Sequence, residues 1–236
     1  MEPAAERHHR DVRGGAARAA VFGVSDGLVS NVSLILGVAG AHPSSAIVRL
    51  AGLAGLVAGA CSMAAGEYVS MQAQSELLER ELDMERRELA RNPHREQREL
   101  ARIYESRGLE PGAADELASH MMRDPETALE THAREELGID PGELGSPRKA
   151  AAASFTSFAL GAAVPLLPWF FVRGLPAVVT SGVLAATLSV LVGVALAYFT
   201  GRSRARTVLR QVLVAVVAAG VTYGIGSLVG VAGGVS

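Results

Sequence analysis

The stretch AAAASFTSFALGAAVPLLPWFFV, residues 150–172, contains no charged side chain, and neither does LPAVVTSGVLAATLSVLVGVALAYFT, residues 175–200. A helix rises about 1.5 Å per residue, so about 20 apolar residues cross the roughly 30 Å hydrocarbon core of a bilayer. Residues 212–235 form a third uncharged stretch. Because buried helices of this length normally keep a polar face in soluble proteins, we predict that all three cross a membrane.

Two stretches nearer the N-terminus are apolar with isolated charges. Residues 19–41 contain only Asp26, and residues 47–71 contain Arg49 near the start and Glu67 near the end. The sequence therefore predicts an all-α membrane protein with five transmembrane helices in a lipid bilayer. The single cysteine cannot form an intrachain disulfide, and the formal net charge of −2 gives no indication of nucleic-acid binding.

Basic residues predict the orientation. The tail of residues 1–18 carries four arginines, residues 201–211 carry four more, and Arg148 and Lys149 precede the third apolar stretch. Cytoplasmic loops carry an excess of Lys and Arg. We therefore expect a multi-pass protein with a cytoplasmic N-terminal tail and the C-terminus outside.

A charged, Glu-rich segment, residues 72–147, separates helices 1–2 (residues 19–71) from helices 3–5 (residues 148–236). SELLERELDMERRELA, residues 75–90, has helical periodicity without a breaker, so the second helix should continue into the cytosol until Asn92-Pro93 ends it. Breaks at Gly108, at Asp124-Pro125 and at Gly138 predict three more helices. We expect this insert to be a cytoplasmic helical domain that binds metal.

Asp26 is the most informative residue of the apolar stretches. A carboxylate inside a membrane costs at least about 2.5 kcal/mol on insertion scales, which makes it a functional candidate. Ser25-Asp26-Gly27 also resembles a helix start. A helix from there to residue 41 would be too short to span a bilayer, so we predict that Asp26 lies within the membrane, with Ser30 and Ser33 following at helical spacing.

Met63 and Glu67 lie one turn apart on the second helix. A thioether favours softer transition metals, and a carboxylate binds such ions and exchanges protons. The alternatives are packing for Met63 and a solvated interfacial position for Glu67. We predict a transport path through Asp26, Met63 and Glu67.

The insert contains pairs of possible ligands that each share a helix face. Helical bundles build metal sites from such residues on facing helices, whereas solvated helices with salt bridges show the same spacing. The predicted metal ligands are Glu85, Glu88, Glu96, Glu99, His132 and Glu136.

Small-xxx-small patterns favour close helix contacts, either within one chain or between two copies. They are Gly55 with Gly59, Gly220 with Gly224, and Gly226 with Gly230.

Several motifs together resemble the vacuolar iron transporter family, which includes bacterial members and yeast iron/manganese carriers. They are SDGLVSNVSLILGVAGA (25–41), GLVAGACSMAAGEYVSMQAQSE (55–76), ERRELARNPHREQREL (85–100), EELG (135–138) and AVPLLPWFF (163–171). Their order and spacing match as well. The resemblance implies a homodimer with five membrane helices per chain and an ion path between protomers. It also implies exchange of Fe2+ or Mn2+ for protons, with the metal leaving the cytosol.

The resemblance also assigns residues. Asp26 matches the essential aspartate of the family's first helix, and Met63 matches the methionine of its second. The five insert glutamates fall on positions that bind metal in plant members. Two departures concern Gly55, where plant members have a glutamate, and His132-Ala133, where they have a methionine pair. Glu67 is our candidate to replace the missing glutamate, and His132 remains a candidate ligand.

The leading hypothesis is therefore a proton-coupled exporter that binds Fe2+ or Mn2+ as substrate and has no covalent cofactor. On the premise of a host without vacuoles, we expect this exporter to lie in the plasma membrane. No phosphate-binding glycine loop, nucleophile elbow or HExxH motif is present, so we predict neither ATP-driven pumping nor hydrolysis. As a transporter the protein is not expected to be an enzyme. The alternative is a membrane-anchored metal-binding or ferroxidase-like protein, in which the insert performs the chemistry without transport.

Overall fold

The computed structural model describes residues 15–138, 140 and 145–232, and within these residues it is helical without a strand. The helices are α1 (Gly15–Gly40), α2 (Ser45–Arg91), α3 (Pro93–Ser106), α4 (Pro111–Met121), α5 (Pro125–Glu135), α6 (Pro147–Leu166), α7 (Leu175–Thr200) and α8 (Arg204–Ala232). A short 3-10 turn, Leu167–Phe170, follows α6. The predicted all-α fold is confirmed.

The chain divides into two compact units. The spanning unit comprises Met1–Tyr68 and Pro147–Ser236, and the insert unit comprises Val69–Ser146. Helix α2 contributes residues to both units.

The described residues contain five helices long and apolar enough to cross a membrane, which confirms the predicted number of spans. They are Ala20–Gly40, Ser45–Arg91, Pro147–Phe170, Leu175–Thr200 and Arg204–Gly230. The third span continues beyond α6 through the 3-10 turn. Because α1 begins at Gly15, Asp26 lies inside this helix and does not cap its N-terminus.

Helix α1 is the centre of the spanning unit and packs on α6, α7 and α8. The approach to α6 is close because glycine lies at the contact on both sides. A Cβ on Gly27 would overlap the carbonyl of Phe158, and a Cβ on Gly161 would overlap the carbonyl of Val24. Because neither Gly27 nor Gly161 has a side chain, the backbones of α1 and α6 can approach each other this closely.

The glycine pairs of the small-xxx-small patterns have different surroundings. Gly226 packs on α1 at Gly37, and Gly230 packs on Ala41, the residue that follows α1. A Cβ on Gly220 or on Gly224 would meet no atom of the described chain within 4 Å. The first pair is therefore an intramolecular helix contact, whereas the second faces open space in the single chain.

The outer surface of the spanning unit is apolar. Leu160, Phe171, Leu175 and Leu228 are all more than 60% exposed. Such a surface would be unfavourable in water and is what a bilayer covers.

The insert unit is built from the end of α2 and from α3, α4 and α5. The predicted break at Asn92-Pro93 separates α2, which ends at Arg91, from α3. A small apolar core joins α3 to α4, with Leu100 and Tyr104 facing Ala114 and Ala118. Gly108 has φ +98°, a backbone conformation that glycine adopts without strain, so the chain can turn between α3 and α4.

Candidate metal-binding sites

A cavity of about 300 Å³ lies in the spanning unit between α1, α2 and α6. Its polar lining consists of Asp26, Ser30 and Asn31 from α1 and Ser62 and Met63 from α2. The glycines and apolar residues that complete it are Gly55, Gly59, Leu34 and Phe158. The structure thus brings together Asp26 and Met63, two of the three residues predicted for a transport path.

The cavity is open between α1 and α2 because glycines lie on the α2 side. A Cβ on Gly59 would overlap the ring of Phe158, and a Cβ on Gly55 would overlap Leu34. Oxygen and thioether donors therefore share a cleft whose remaining wall is apolar. Within it, the hydroxyl of Ser30 donates a hydrogen bond of 3.0 Å to Asp26 Oδ1 and holds the carboxylate in place.

Glu67 follows Met63 by one turn on α2 and is partly buried. Among the residues described, it does not line the cavity that contains Asp26 and Met63. The suggestion that Glu67 replaces the glutamate missing at position 55 gains no support from this placement and stays a prediction.

Asn31 is a cavity residue that sequence reasoning missed. Its side chain is 2% exposed, and its Nδ2 donates a hydrogen bond of 2.7 Å to the carbonyl oxygen of Ala162 on α6. From Asp26 to Asn31 a helix turns by about 140°, so the two residues do not share a stripe on a helical wheel. The only signal in the sequence was an amide inside an apolar span, where polar groups need a partner.

The insert unit holds a second group of possible ligands. Three possible metal-binding atoms, one from each of Glu85, His132 and Glu136, lie within 4.8 Å of one another. Nδ1 of His132 is 3.1 Å from Oε1 of Glu85 and 3.6 Å from Oε2 of Glu136. Carboxylate oxygens and an imidazole nitrogen are ligands that first-row divalent metals accept.

Local sequence explains how α5 presents His132. The carboxylate of Asp124 accepts hydrogen bonds from the backbone N–H of Thr127 at 2.9 Å and from its hydroxyl at 2.8 Å, which caps α5. These two bonds lower the pKa of Asp124. Ala128, one turn before His132, is buried like the imidazole, so this face of α5 points into the insert unit.

Glu96 places a further carboxylate in the interior, from the first turn of α3. It is 2% exposed, and its Oε1 lies 4.0 Å from the nearest guanidinium nitrogen of Arg95. Burial raises the pKa of Glu96, and the negative charges of Glu85, Glu99 and Glu88 raise it further. The remaining predicted glutamates of α2 and α3 are therefore close enough to repel Glu96.

The ionisation of Glu136 and His132 is linked. Burial raises the pKa of Glu136, as do the charges of Glu85 and Glu99, while His132 opposes the shift. Burial by itself would lower the pKa of His132, but the carboxylates of Glu85 and Glu136 outweigh it, so the pKa is raised.

The geometry around His132 leaves donor atoms free. Nδ1 of His132 lies within hydrogen-bond distance of Oε1 of Glu85, but the angle between the imidazole and the carboxylate does not suit a hydrogen bond. The Oε1 atoms of Glu85 and Glu96 are therefore buried without a hydrogen-bond partner. Buried carboxylates are unfavourable unless a positive charge compensates them. A divalent cation among these atoms would supply the missing charge and the missing partners.

The structure is that of a helical protein with five candidate membrane spans and with two groups of side chains that could hold a cation, one in the spanning unit and one in the insert unit. The chain belongs to the VIT family, whose family model matches residues 17–227. This is a transporter family and not an enzyme class, and the resemblance predicted from the sequence motifs is confirmed.

Known relatives cover most of the chain. It is 33% identical over 220 residues to vacuolar iron transporter 1 of Eucalyptus grandis, covering 92% of this chain and 87% of the relative. It is 35% identical over 224 residues to the vacuolar iron transporter of Acanthamoeba castellanii, covering 93% and 82%. It is 38% identical over 217 residues to vacuolar iron transporter homolog 1 of Oryza sativa, covering 92% and 75%.

These relatives correct one expectation. A plasma-membrane location was predicted on the premise of a host without vacuoles, but the relatives are named for the vacuole, an intracellular compartment. The plasma-membrane prediction is therefore wrong. Arginine distribution distinguishes the two sides of a membrane but carries no information on which cellular membrane it is.

Proposed function

We propose that the protein moves Fe2+ or Mn2+ out of the cytosol across an intracellular membrane, in exchange for protons. The observation that carries this proposal is the cavity in the spanning unit, where Asp26 and Met63 face the same space. The relatives named as iron transporters support iron as a substrate.

The chemistry of Asp26 supports coupling to protons. A carboxylate must be deprotonated to bind a metal ion, so a proton and a cation compete for the same group. Asp26 binds the cation when ionised and releases it when protonated from the opposite side of the membrane. Met63 adds a thioether, which favours transition metals over Mg2+ and Ca2+.

We propose that the insert unit is cytoplasmic and captures the metal before transport. The arginine-rich tail and loops support this side, and the cluster of Glu85, His132 and Glu136 supports metal capture. Glu88, Glu96 and Glu99 add negative charge that raises the local concentration of cations.

We further propose that the protein works as a homodimer with the ion path where the two copies meet. Helix α2 supports this arrangement, since Met63 lines the cavity while most of the apolar part of α2 is exposed. A second copy placed against α2 would cover the open side of the cavity.

Uptake into proteoliposomes across an imposed pH gradient tests the transport proposal, with Fe2+, Mn2+, Co2+, Zn2+ and Ca2+ offered separately. We expect uptake of Fe2+ or Mn2+ that disappears with the gradient and is abolished by Asp26→Ala or Met63→Ala. Met84→Ala is the matched control, because Met84 is exposed in the insert unit. Unchanged flux in both cavity variants would reject this site.

The rival function is a membrane-anchored metal-binding or ferroxidase-like protein. It is favoured by one observation, namely that the Glu85, His132 and Glu136 cluster lies wholly within the insert unit. Replacing His132 by alanine separates the two, because a transporter should retain flux at saturating metal whereas an anchored oxidase should lose its activity.

A further inference from the structure

The cavity of the spanning unit contains one buried polar atom without a partner, Oδ1 of Asn31. Among the described side chains, the other buried atoms without hydrogen bonds belong to residues outside this cavity. An unpaired amide oxygen in a low-dielectric interior is unfavourable. A ligand that supplies positive charge would remove this penalty.

The orientation of the amide follows from its anchor. The carbonyl oxygen of Ala162 can only accept a hydrogen bond, so the Nδ2 group of Asn31 must face α6, and it does so at 2.7 Å. Oδ1 therefore faces away from α6. A Cβ built on Gly55 of α2 would lie 2.9 Å from Oδ1, which shows that the oxygen faces α2.

Gly55 leaves the α2 side of this oxygen without a side chain against it. Any side chain at position 55 would contact both Oδ1 and Leu34, whereas glycine leaves the space open to the cavity. The amide is thus fixed by a helix contact on one side, and its buried oxygen faces α2 on the other. Such a fixed, neutral oxygen is a possible metal ligand that has no partner within the described chain.

We propose that Oδ1 of Asn31 is a ligand of the transported divalent cation, an inference that rests on the proposed function. With the carboxylate of Asp26 it gives the cavity two oxygen ligands from α1. Unlike the carboxylate, the amide oxygen carries no charge and binds no proton. Amide and carboxylate oxygens suit Mn2+, whereas the thioether of Met63 suits softer ions such as Zn2+. Asn31 therefore shifts the preference of the site towards Mn2+.

The test compares the two kinds of ion in proteoliposomes containing the full chain. We measure Mn2+ uptake and its inhibition by Zn2+. Loss of a group that only supports a metal's ligands weakens affinity about 10- to 100-fold, and loss of a ligand itself should weaken it at least as much. We therefore expect Asn31→Ala to raise the half-saturating Mn2+ concentration at least tenfold, with a much smaller change in the inhibitory Zn2+ concentration.

A second variant leaves Asn31 and its bond to Ala162 in place. Gly55→Ala covers Oδ1 from the α2 side and should change the Mn2+ to Zn2+ ratio in the same direction. Gly220→Ala is the matched control, since a Cβ there meets no atom of the described chain. If Asn31→Ala fails to reconstitute, Gly55→Ala still decides the question.

The outcomes separate this inference from the proposed function. If Asp26→Ala abolishes uptake while Asn31→Ala and Gly55→Ala leave the ratio unchanged, transport stands and the ligand role of Asn31 is wrong. An equal weakening for both ions would mean that Asn31 has only a packing role. If the wild-type chain takes up neither ion across the gradient, the proposed function fails and this inference fails with it.

Discussion

The pH dependence of metal binding by the insert unit follows from the surroundings of His132. The carboxylates of Glu85 and Glu136 raise the pKa of the buried imidazole against the opposing effect of burial. Below the ordinary histidine pKa of about 6.5 the imidazole in the folded insert is therefore protonated. A metal ion that uses its nitrogen must then displace one proton.

The magnitude follows from this proton count. Displacing one proton reduces the apparent metal affinity tenfold for each pH unit below the pKa, so about tenfold is lost between about pH 6.5 and 5.5. Glu136 and Glu96, whose pKa values are also raised, make the loss steeper at lower pH. Above the raised pKa of His132 no proton is displaced there, and this contribution to the pH dependence disappears.

Competition with a fluorescent chelator between pH 5 and 8 measures the effect. An Asp26→Ala background prevents the cavity of the spanning unit from contributing. His132→Ala should bind metal more weakly at pH 7.5. At acid pH, the slope of the logarithm of its apparent metal affinity against pH should be smaller by one. His120→Ala is the matched control, because His120 is an exposed histidine on α4. Equal slopes for His132→Ala and the unmodified background would refute the reasoning.

In the metal-free protein, the ion pairs of His132 with Glu85 and Glu136 make the folded insert more stable at low pH, whereas metal binding is weaker at low pH. The imidazolium between two carboxylates stabilises the folded insert, and this stabilisation is fully present below about pH 6.5. It is lost as the pH rises through the raised pKa of His132. Hydrogen exchange of α5 amides without metal should therefore be slower at pH 6 than at pH 8 once the intrinsic pH dependence is removed.

Two further substitutions test the packing and the charge of the sites. Gly27→Ala should lower the free energy of unfolding by about 1–3 kcal/mol, because its Cβ would overlap the carbonyl of Phe158. Thermal unfolding in detergent measures this loss. Gly182→Ala is the control and should leave the melting temperature unchanged, because a Cβ there meets no atom of the described chain. Glu96→Gln removes a carboxylate whose pKa is raised, so it should raise the melting temperature of the metal-free chain at pH 7.5 and weaken metal binding; Glu105→Gln, at an exposed position of the same helix, should do neither.

Part of the candidate sites could be predicted from particular residues. Asp26 was recognisable because a lone carboxylate in an apolar stretch is unfavourable without a function. Met63 was recognisable from its place one turn before Glu67 and from the motif around it. Asn31 was not, because its anchor is the carbonyl of Ala162, which is 131 positions away in the sequence.

The insert shows the same division. Spacing places Glu85 with Glu88 on one helix face and His132 with Glu136 on another. It cannot state whether those faces meet or are solvated, since salt-bridged surface helices have the same pattern. Folding of α3 and α5 decides this by burying Glu85 and His132 while leaving Glu88 exposed.

The sequence by itself determined the number of apolar spans, the break at Asn92-Pro93 and the family. These features depend on local hydrophobicity, on backbone sterics and on motif order. Only the tertiary structure decided which polar atoms share a cavity, that Gly55 lies against Oδ1 of Asn31, and that Gly226 packs on α1 while Gly220 stays open. The physical reason is that spacing defines the face of a helix, whereas the neighbour of that face depends on how distant helices pack.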